Sequence, residues 1–313
     1  MQTKNFTLTM RDGTEIFVNR WTPDSEEEVK GIIQLHHGLA EHSMRYDRFG
    51  SVLAENGYVL NAYDMRGHGK TGENAEQKGT GLFGKLADKD GFNVAIEDLH
   101  EVFDDLKKAY PGKKSFLFGH SFGSFISQGF IEKYGSEIDG CILCGTAGPR
   151  QPLMIAGHLL AVIIKAFKGA DATSPFLKKL SFGSYCKRIE NPETPDDWIA
   201  ANADTRKTYE MDNWCGFPLK VAFYCDMTSG LKQIHTGKNM KKIPLDLPIF
   251  FIYGGQDPVG DYGKTVKNLF NIYKKNGIKN LDIKEYPNDR HELLGEDDKE
   301  IVEKDVLNWL AKI

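Results

Sequence analysis

Between the apolar run Ser115-Phe-Leu-Phe118 and the helical pattern Phe122–Tyr134 stands Gly119-His120-Ser121-Phe122-Gly123. A serine at the tip of so sharp a strand-to-helix turn needs neighbours without side chains, because a Cβ on either flank would collide with the turn. The serine is then held in a strained conformation, its hydroxyl exposed above a sheet. The Phe122 N–H stands at the start of a helix, where an amide lacks an intrahelical acceptor and favours negative charge. Strand, turn and helix in that order constrain the chain to a sheet with crossover helices.

The remaining patterning fits that constraint. Phe6, Leu8 and Met10 alternate with polar residues, Asp12-Gly13 follows, and TEIFVNRW comes next. Alternation broken by Asp-Gly predicts a β-hairpin. Short apolar runs bounded by Gly or Pro then recur at 31–38, 58–64, 115–119, 138–146, 248–254 and 281–286. Such runs suit strands buried on both faces of a parallel sheet. Between them, 92–110 places Phe92, Ile96, Leu99, Phe103, Leu106 and Tyr110 on one stripe, and 122–134 and 300–313 have similar patterns. The expected fold is α/β: a mostly parallel eight-stranded sheet with helices on both faces.

From Pro149 to about Met240 the alternation stops and no clear strand is visible. The expected division is a first part of the core at 1–148, a helical cap insertion at 149–240, and a second part of the core at 241–313. A long insertion at the edge where strands end is usually functional. Within it, Met154–Phe167 is too apolar to sit bare in water, so part of it is expected to pack on the cap or line a route to Ser121. Any remaining face would meet a lipid surface.

A serine hydroxyl needs a base, and the base an orienting carboxylate. At an elbow of this type they follow the serine in the order acid, then histidine. Asp257 follows the run PIFFIYG, and His291 follows LDIKEY, both where strands of an open sheet end and sites gather. Of the nine histidines, His291 alone lies beyond Asp257. Asp261, Asp282 and Asp289 are rival acids, but only Asp257 caps a clear buried strand. A second oxyanion donor is expected from the loop His37–His42, where Gly38 lets the backbone turn and present the Leu39 N–H. His37 reads as a structural hydrogen-bonding residue, and Asp64–Gly69 as a brace between loops.

Other features exclude alternatives. The 313 residues carry a formal charge of -4, which offers no electrostatic footprint for nucleic acid. Five cysteines, few and odd in number, read as reduced thiols rather than a disulfide framework. With a polar N-terminus, they point to a soluble, cytoplasmic chain. The longest nearly apolar run, Met154–Ile164, is short of the ~20 residues that span a bilayer. Gly69-Lys70-Thr71 imitates a P-loop but has Asp64 where the first glycine belongs. Cys141 and Cys144 fall within one strand on opposite faces, which argues against a zinc or redox pair. His36, His37 and His42 lack a metal-ligand pattern with carboxylate support, so neither metal nor cofactor is expected.

The segments HHGLAEHSMRY (36–46), YDMRGHGKT (63–71), GHSFGS (119–124), GGQDPV (254–259) and RHELLGE (290–296) together resemble the α/β-hydrolase superfamily. More narrowly they are similar to its monoacylglycerol lipase and lysophospholipase branch, often catalogued as serine aminopeptidase-like hydrolases. One departure is Gly295, where many bacterial members carry Asn. The resemblance implies Ser121 as nucleophile, His291 as base, Asp257 as acid, and the Leu39 and Phe122 N–H groups as the oxyanion hole. It also implies a cap over a small acyl ester substrate. Family naming spans lipases, esterases and peptidases, so the leaving group stays open. An amidase or aminopeptidase would want an acidic anchor for a free amine, which Glu190, Glu193, Asp196 or Asp197 would have to supply. A catalytically silent binding protein is the reading from another class, and three filled triad positions argue against it.

Overall fold

The structure is a computed structural model that describes residues 1–313. Two strands, β1 (Gln2–Thr9) and β2 (Glu15–Thr22), form the expected hairpin, with Phe6 opposite Val18. Gly13 closes its turn at φ 85°, a conformation that costs glycine little. Six more strands follow: β3 (Gly31–His36), β4 (Tyr58–Tyr63), β5 (Lys114–His120), β6 (Gly140–Cys144), β7 (Ile249–Gly254) and β8 (Leu281–Tyr286). They form one eight-stranded sheet in the order β1-β2-β4-β3-β5-β6-β7-β8, antiparallel at the hairpin and parallel from β4 to β8. Every residue of β3, β4, β6 and β7 is buried, as continuous apolar runs predict.

Eleven helices connect and cover these strands. They are α1 (Asp47–Glu55), α2 (Gly69–Lys78), α3 (Gly91–Ala109), α4 (Phe122–Tyr134), α5 (Gln151–Lys168), α6 (Pro175–Phe182), α7 (Ala203–Met211), α8 (Val221–Ile234), α9 (Gly237–Met240), α10 (Lys264–Lys275) and α11 (Lys299–Leu310). Successive strand residues point to opposite faces, and two apolar cores result. The larger includes Leu117, Cys141 and Leu143 with Phe103, Phe130 and Leu269 from α3, α4 and α10. The smaller includes Phe116, Phe118 and Cys144 with Leu53 of α1 and Trp309 of α11. Cys141 and Cys144 therefore face opposite cores, and all five cysteines are free thiols.

The stretch between β6 and β7 is helical, with one isolated bridge between Thr173 and Lys220. It is not uniform. Val221, Phe223, Tyr224 and Ile234 of α8 join the larger core, so this helix is part of the main packing. Residues 149–220, the cap segment, add only Ala161, Leu177 and Leu219 to it as buried side chains. In α5 only Ala161 is fully buried, while Leu153, Ile155, Leu159 and Phe167 are exposed. Only part of this helix was expected to pack, and the packed part is a single narrow edge, with most of its apolar surface left outward. It lies along α8 by one edge: Gln151 Nε2 donates to the Lys232 carbonyl at 3.0 Å, and Ala222 N–H to the Ala170 carbonyl at 2.9 Å. By length and composition α5 qualifies as a membrane span, but these ties hold both its ends to the protein.

Candidate active site

Four loops meet at the carboxyl ends of β3, β5, β7 and β8. Ser121 follows β5 directly and caps α4 at φ 52°, ψ −121°. Close packing enforces this strain. A Cβ on Gly119 would stand 2.3 Å from Ser127 Oγ, and one on Gly123 only 2.1 Å from the His36 carbonyl oxygen. The Ser121 N–H donates to the Cys144 carbonyl at 2.9 Å, pinning the elbow to β6.

Asp257 is fully buried. Its Oδ1 accepts from the Val259 N–H at 2.8 Å, and its Oδ2 accepts from His291 Nδ1 at 2.9 Å. That bond leaves His291 Nε2 as the free imidazole nitrogen, buried and without a partner. The ring is flanked by His120 and Trp198, with centroids 4.9 and 5.0 Å away. Gly145, at φ 57°, gives it room: a Cβ there would stand 3.1 Å from His291 Cε1. An imidazole oriented by a carboxylate, with its far nitrogen unpaired, is equipped to take a proton.

The rival acids have other surroundings. Asp282 accepts from Trp309 Nε1 at 3.0 Å, and Asp261 lies 3.8 Å from Arg150. Asp289 is buried with Oδ2 unpartnered, and burial with Glu296, Asp298 and Asp297 nearby pushes it up to about 7. The other histidines also have other partners. Burial pushes His36 and His68 down to about 4, and His37 well below its ordinary value. His37 bonds to the Gly38 carbonyl through Nδ1 at 2.7 Å and accepts from the Met65 N–H through Nε2 at 3.0 Å, the structural part expected of it. Asp64 accepts from Ser43 and Lys70 N–H groups, bracing two loops. Lys70 pairs with Glu73 and Thr71 accepts from the Phe17 N–H, so this glycine-lysine-threonine run serves the fold.

Leu39 lies on the loop after β3, and its N–H makes no hydrogen bond within the protein. Phe122, first residue of α4, has no intrahelical acceptor. Beneath this loop is a buried network without a clear sequence signal. Glu41 accepts from the Gly38 N–H, from Tyr46 Oη at 3.0 Å and from Arg45 at 3.0 Å, and meets His120 Nδ1 at 3.2 Å. Burial alone would raise Glu41, but His120 and Arg45 hold it well below the carboxylate range. Burial alone would lower His120, but its bond to Glu41 and the charges of Glu41 and Glu292 raise it.

The cap segment closes over these loops. An apolar recess of about 40 Å³ is lined by Leu39, Ala40, Phe182, Trp198, Tyr209 and Phe217, with Asp196 and Lys178 among its polar walls. Asp197 is engaged, accepting from the Glu193 and Thr194 N–H groups and the Thr194 hydroxyl. A free ammonium at Asp196 would also meet Lys178. Gly295 is where Thr205 of α7 approaches, since a Cβ there would stand 2.6 Å from Thr205 Cγ2. One expectation needs correction: His42 does have a carboxylate partner, Asp212 of the cap, whose Oδ2 lies 2.7 Å from Nε2. Cys215 lies close to both. Burial pushes its thiol up. Trp198, Tyr209 and Asp212 fall in the segments DDWIA and YEMDNWCGF (within 196–217), which are similar to bacterial members of the family, but no local pattern gives them a role or ties them to the core loops they touch.

The model of the family described as serine aminopeptidase, S33, matches residues 27–298. Among curated relatives, a monoacylglycerol lipase of Mycolicibacterium smegmatis is 22% identical over 308 residues, covering 96% of this chain and 94% of its own length. The human monoglyceride lipase is 25% identical over 256 residues, covering 81% of this chain and 73% of its own. Among solved structures, a highly thermostable carboxyl esterase from Bacillus coagulans, in complex with glycerol, superposes with a TM-score of 0.90 at 30% identity. It covers 100% of this chain and 99% of its own.

Proposed function

The chain belongs to the serine aminopeptidase S33 family of α/β-hydrolases, and from that premise we propose that it hydrolyses carboxylic esters of lipid-like alcohols, of the monoacylglycerol or lysophospholipid type, through an acyl-enzyme on Ser121. The observation that carries this reading is the buried Asp257–His291 pair with Nε2 left unpartnered, beside a serine elbow and two unpaired amides. In this mechanism His291 Nε2 takes the Ser121 proton as Oγ bonds to the acyl carbon. The Leu39 and Phe122 N–H groups hold the oxyanion. The tetrahedral intermediate collapses as His291 returns the proton to the leaving alcohol. Water then attacks the acyl-enzyme with the same base, and the acid leaves with Ser121 restored.

Lipid character of the substrate is supported by the recess beside Leu39 and by the exposed apolar side chains of α5 and α6, Phe167 and Phe176 among them. Lys165, Lys168 and Lys179 accompany them, as at a membrane-facing amphipathic surface. The recess as it stands holds little more than a methylene or two, so an acyl chain enters by parting the cap walls. Each buried CH₂ then contributes about 0.8 kcal/mol. An amide-cleaving reading has less support, because Asp197 is engaged and Asp196 shares its recess with Lys178.

Intact-protein mass spectrometry after fluorophosphonate treatment, with kcat/KM over a p-nitrophenyl ester series and an aminoacyl-nitroanilide panel, tests the proposal. One adduct on Ser121, absent in Ser121→Ala, and faster turnover of medium or long esters than of acetyl esters are expected. No adduct on the folded protein sinks the mechanism. A flat ester series with rapid amide cleavage sinks the substrate class.

A further inference from the structure

The loop that carries the Leu39 amide is held from across the chain. Ala40 adopts φ 49°, left-handed for a residue with a Cβ. Such a conformation persists only where the surroundings over-determine it, and here the surroundings belong to the cap. The Ala40 carbonyl accepts from the Gly216 N–H at 2.9 Å and from Tyr209 Oη at 3.3 Å. Two residues on, His42 Nε2 meets Asp212 Oδ2 at 2.7 Å. We propose that the cap turn Tyr209–Gly216 positions the Leu39 N–H for oxyanion stabilisation, with Asp212 and Tyr209 as its positioning residues. This deepens the ester-hydrolase reading and rests on it.

Asp212 serves both sides of the contact. Its Oδ1 accepts from the Trp214 N–H at 2.8 Å, and its carbonyl accepts from the Cys215 N–H at 2.9 Å. The side chain that grips His42 therefore also shapes the turn that presents Gly216. Gly216 stands at φ 63°, against the Tyr209 ring, where a Cβ would lie 3.3 Å from Cε1. Leu39 sits between two fixed points: the Gly38 N–H bound to Glu41, and the Ala40 carbonyl bound to the cap. Its own N–H is left free. An oxyanion donor is effective when it is fixed before charge develops, and a strained loop clamped on both sides of the donor supplies that fixity. The cap is thereby part of the catalytic geometry as well as a cover.

The test uses the full chain with Tyr209→Phe, Asp212→Ala and Asp212→Asn, a soluble short-chain p-nitrophenyl ester, and a trifluoromethyl ketone that adds to Ser121. Deleting an oxyanion donor outright costs ~10²–10³ in kcat, and displacing one should cost less: about tenfold for Asp212→Ala and about threefold for Tyr209→Phe. KM should stay within about twofold, since ground-state binding hardly uses the donor. The ketone's Ki should rise by the same factor as kcat/KM falls. Asp212→Asn, which keeps a hydrogen-bonding atom at each position, should recover most of kcat. An unchanged kcat in a folded Asp212→Ala overturns the proposal, as does a rise in KM alone or a loss of kcat without a matching rise in Ki. Should Asp212→Ala not fold, Tyr209→Phe, which removes one hydroxyl, decides by the same comparison of Ki with KM. Failure of wild-type Ser121 to take fluorophosphonate would instead strike the hydrolase reading, so the two failures are distinguishable.

Discussion

The indole of Trp198 lies against the imidazole of His291, ring centroids 5.0 Å apart and planes tilted by 44°. Tyr185 meets the indole edge-on at 4.9 Å, so a column of cap aromatics ends on the proposed base. Trp198 also walls the apolar recess. One side chain thus borders both the proposed base and the apolar recess.

Truncating that column should loosen the base. Trp198→Ala is expected to lower kcat on a soluble ester about tenfold, the scale of a small misplacement of a reacting group. Trp198→Phe keeps an aromatic face and should stay within about threefold of wild type. Steady-state kinetics on both variants check this. A wild-type kcat in Trp198→Ala would mean that Asp257 alone fixes the imidazole.

His291→Ala and Asp257→Asn should each reduce kcat by roughly 10³-fold or more with the fold intact, because members of a triad act as a unit. His68→Ala and His158→Ala should keep most of the activity. His68 is buried with Nδ1 against the Arg66 carbonyl, and His158 of α5 pairs with Thr228 of α8; neither bonds to Asp257 or His291. Near wild-type turnover in Asp257→Asn would redirect the search to another acid.

The outward apolar face of α5 should matter only where substrate is aggregated. Leu159→Glu with Phe167→Glu should reduce hydrolysis of a monoacylglycerol presented in vesicles by about a hundredfold, since two buried apolar side chains are worth roughly 3 kcal/mol or more at an interface. Hydrolysis of a soluble butyrate ester should not change. Equal losses on both substrates, or none on vesicles, would contradict a surface-docking part for this helix.

Asp289 gives stability a pH dependence of known sign. Its carboxyl is raised from 3.8 to about 7, by burial first and by Glu296, Asp298 and Asp297 next. Between those values the folded chain holds a proton that the unfolded chain has released, so stability falls as pH rises from about 4 to about 7. Asp289→Asn removes the dependence. Its melting temperature should exceed that of wild type by about 2 °C at pH 8, with the gap closing toward pH 4. Calorimetry at the two pH values checks this. An equal gap at both would indicate a packing effect.

Much of the fold was legible because its signals are local. Buried parallel strands are continuous apolar runs, and β3, β4, β6 and β7 were read that way. The hairpin announced itself by Asp12-Gly13 between alternating residues. Ser121, Asp257 and His291 were singled out by chain order and strand ends, and the structure brings Asp257 and His291 into contact across 34 residues. The cap contacts follow no such rule. Asp212 and His42 are 170 residues apart, and neither has a partner in its own neighbourhood that hints at the other. Burial of α8 was equally hidden, because a helix apolar on several faces reads alike whether it roofs a site or lies in the core. The exposure of α5 ran against its composition, since apolarity predicts burial but not what will cover it.

The place where the chain rejoins the main core, at Val221, sets what can vary. Residues before it, from Gln151 onward, contribute no strand to the sheet and little to either large core. From Val221 on, α8 is wedged against α3 and α4, and a Cβ on Gly230 would stand 2.0 Å from the Phe92 ring. Insertions and deletions are thus better tolerated between Gln151 and Tyr185, ahead of the contacts made by Trp198 and the Tyr209–Gly216 turn, than anywhere from Val221 on. Homologues, or designed chimaeras, can exchange the first stretch as a cassette to alter which molecules reach Ser121, provided the donor brings its own turn to clasp the loop at Ala40.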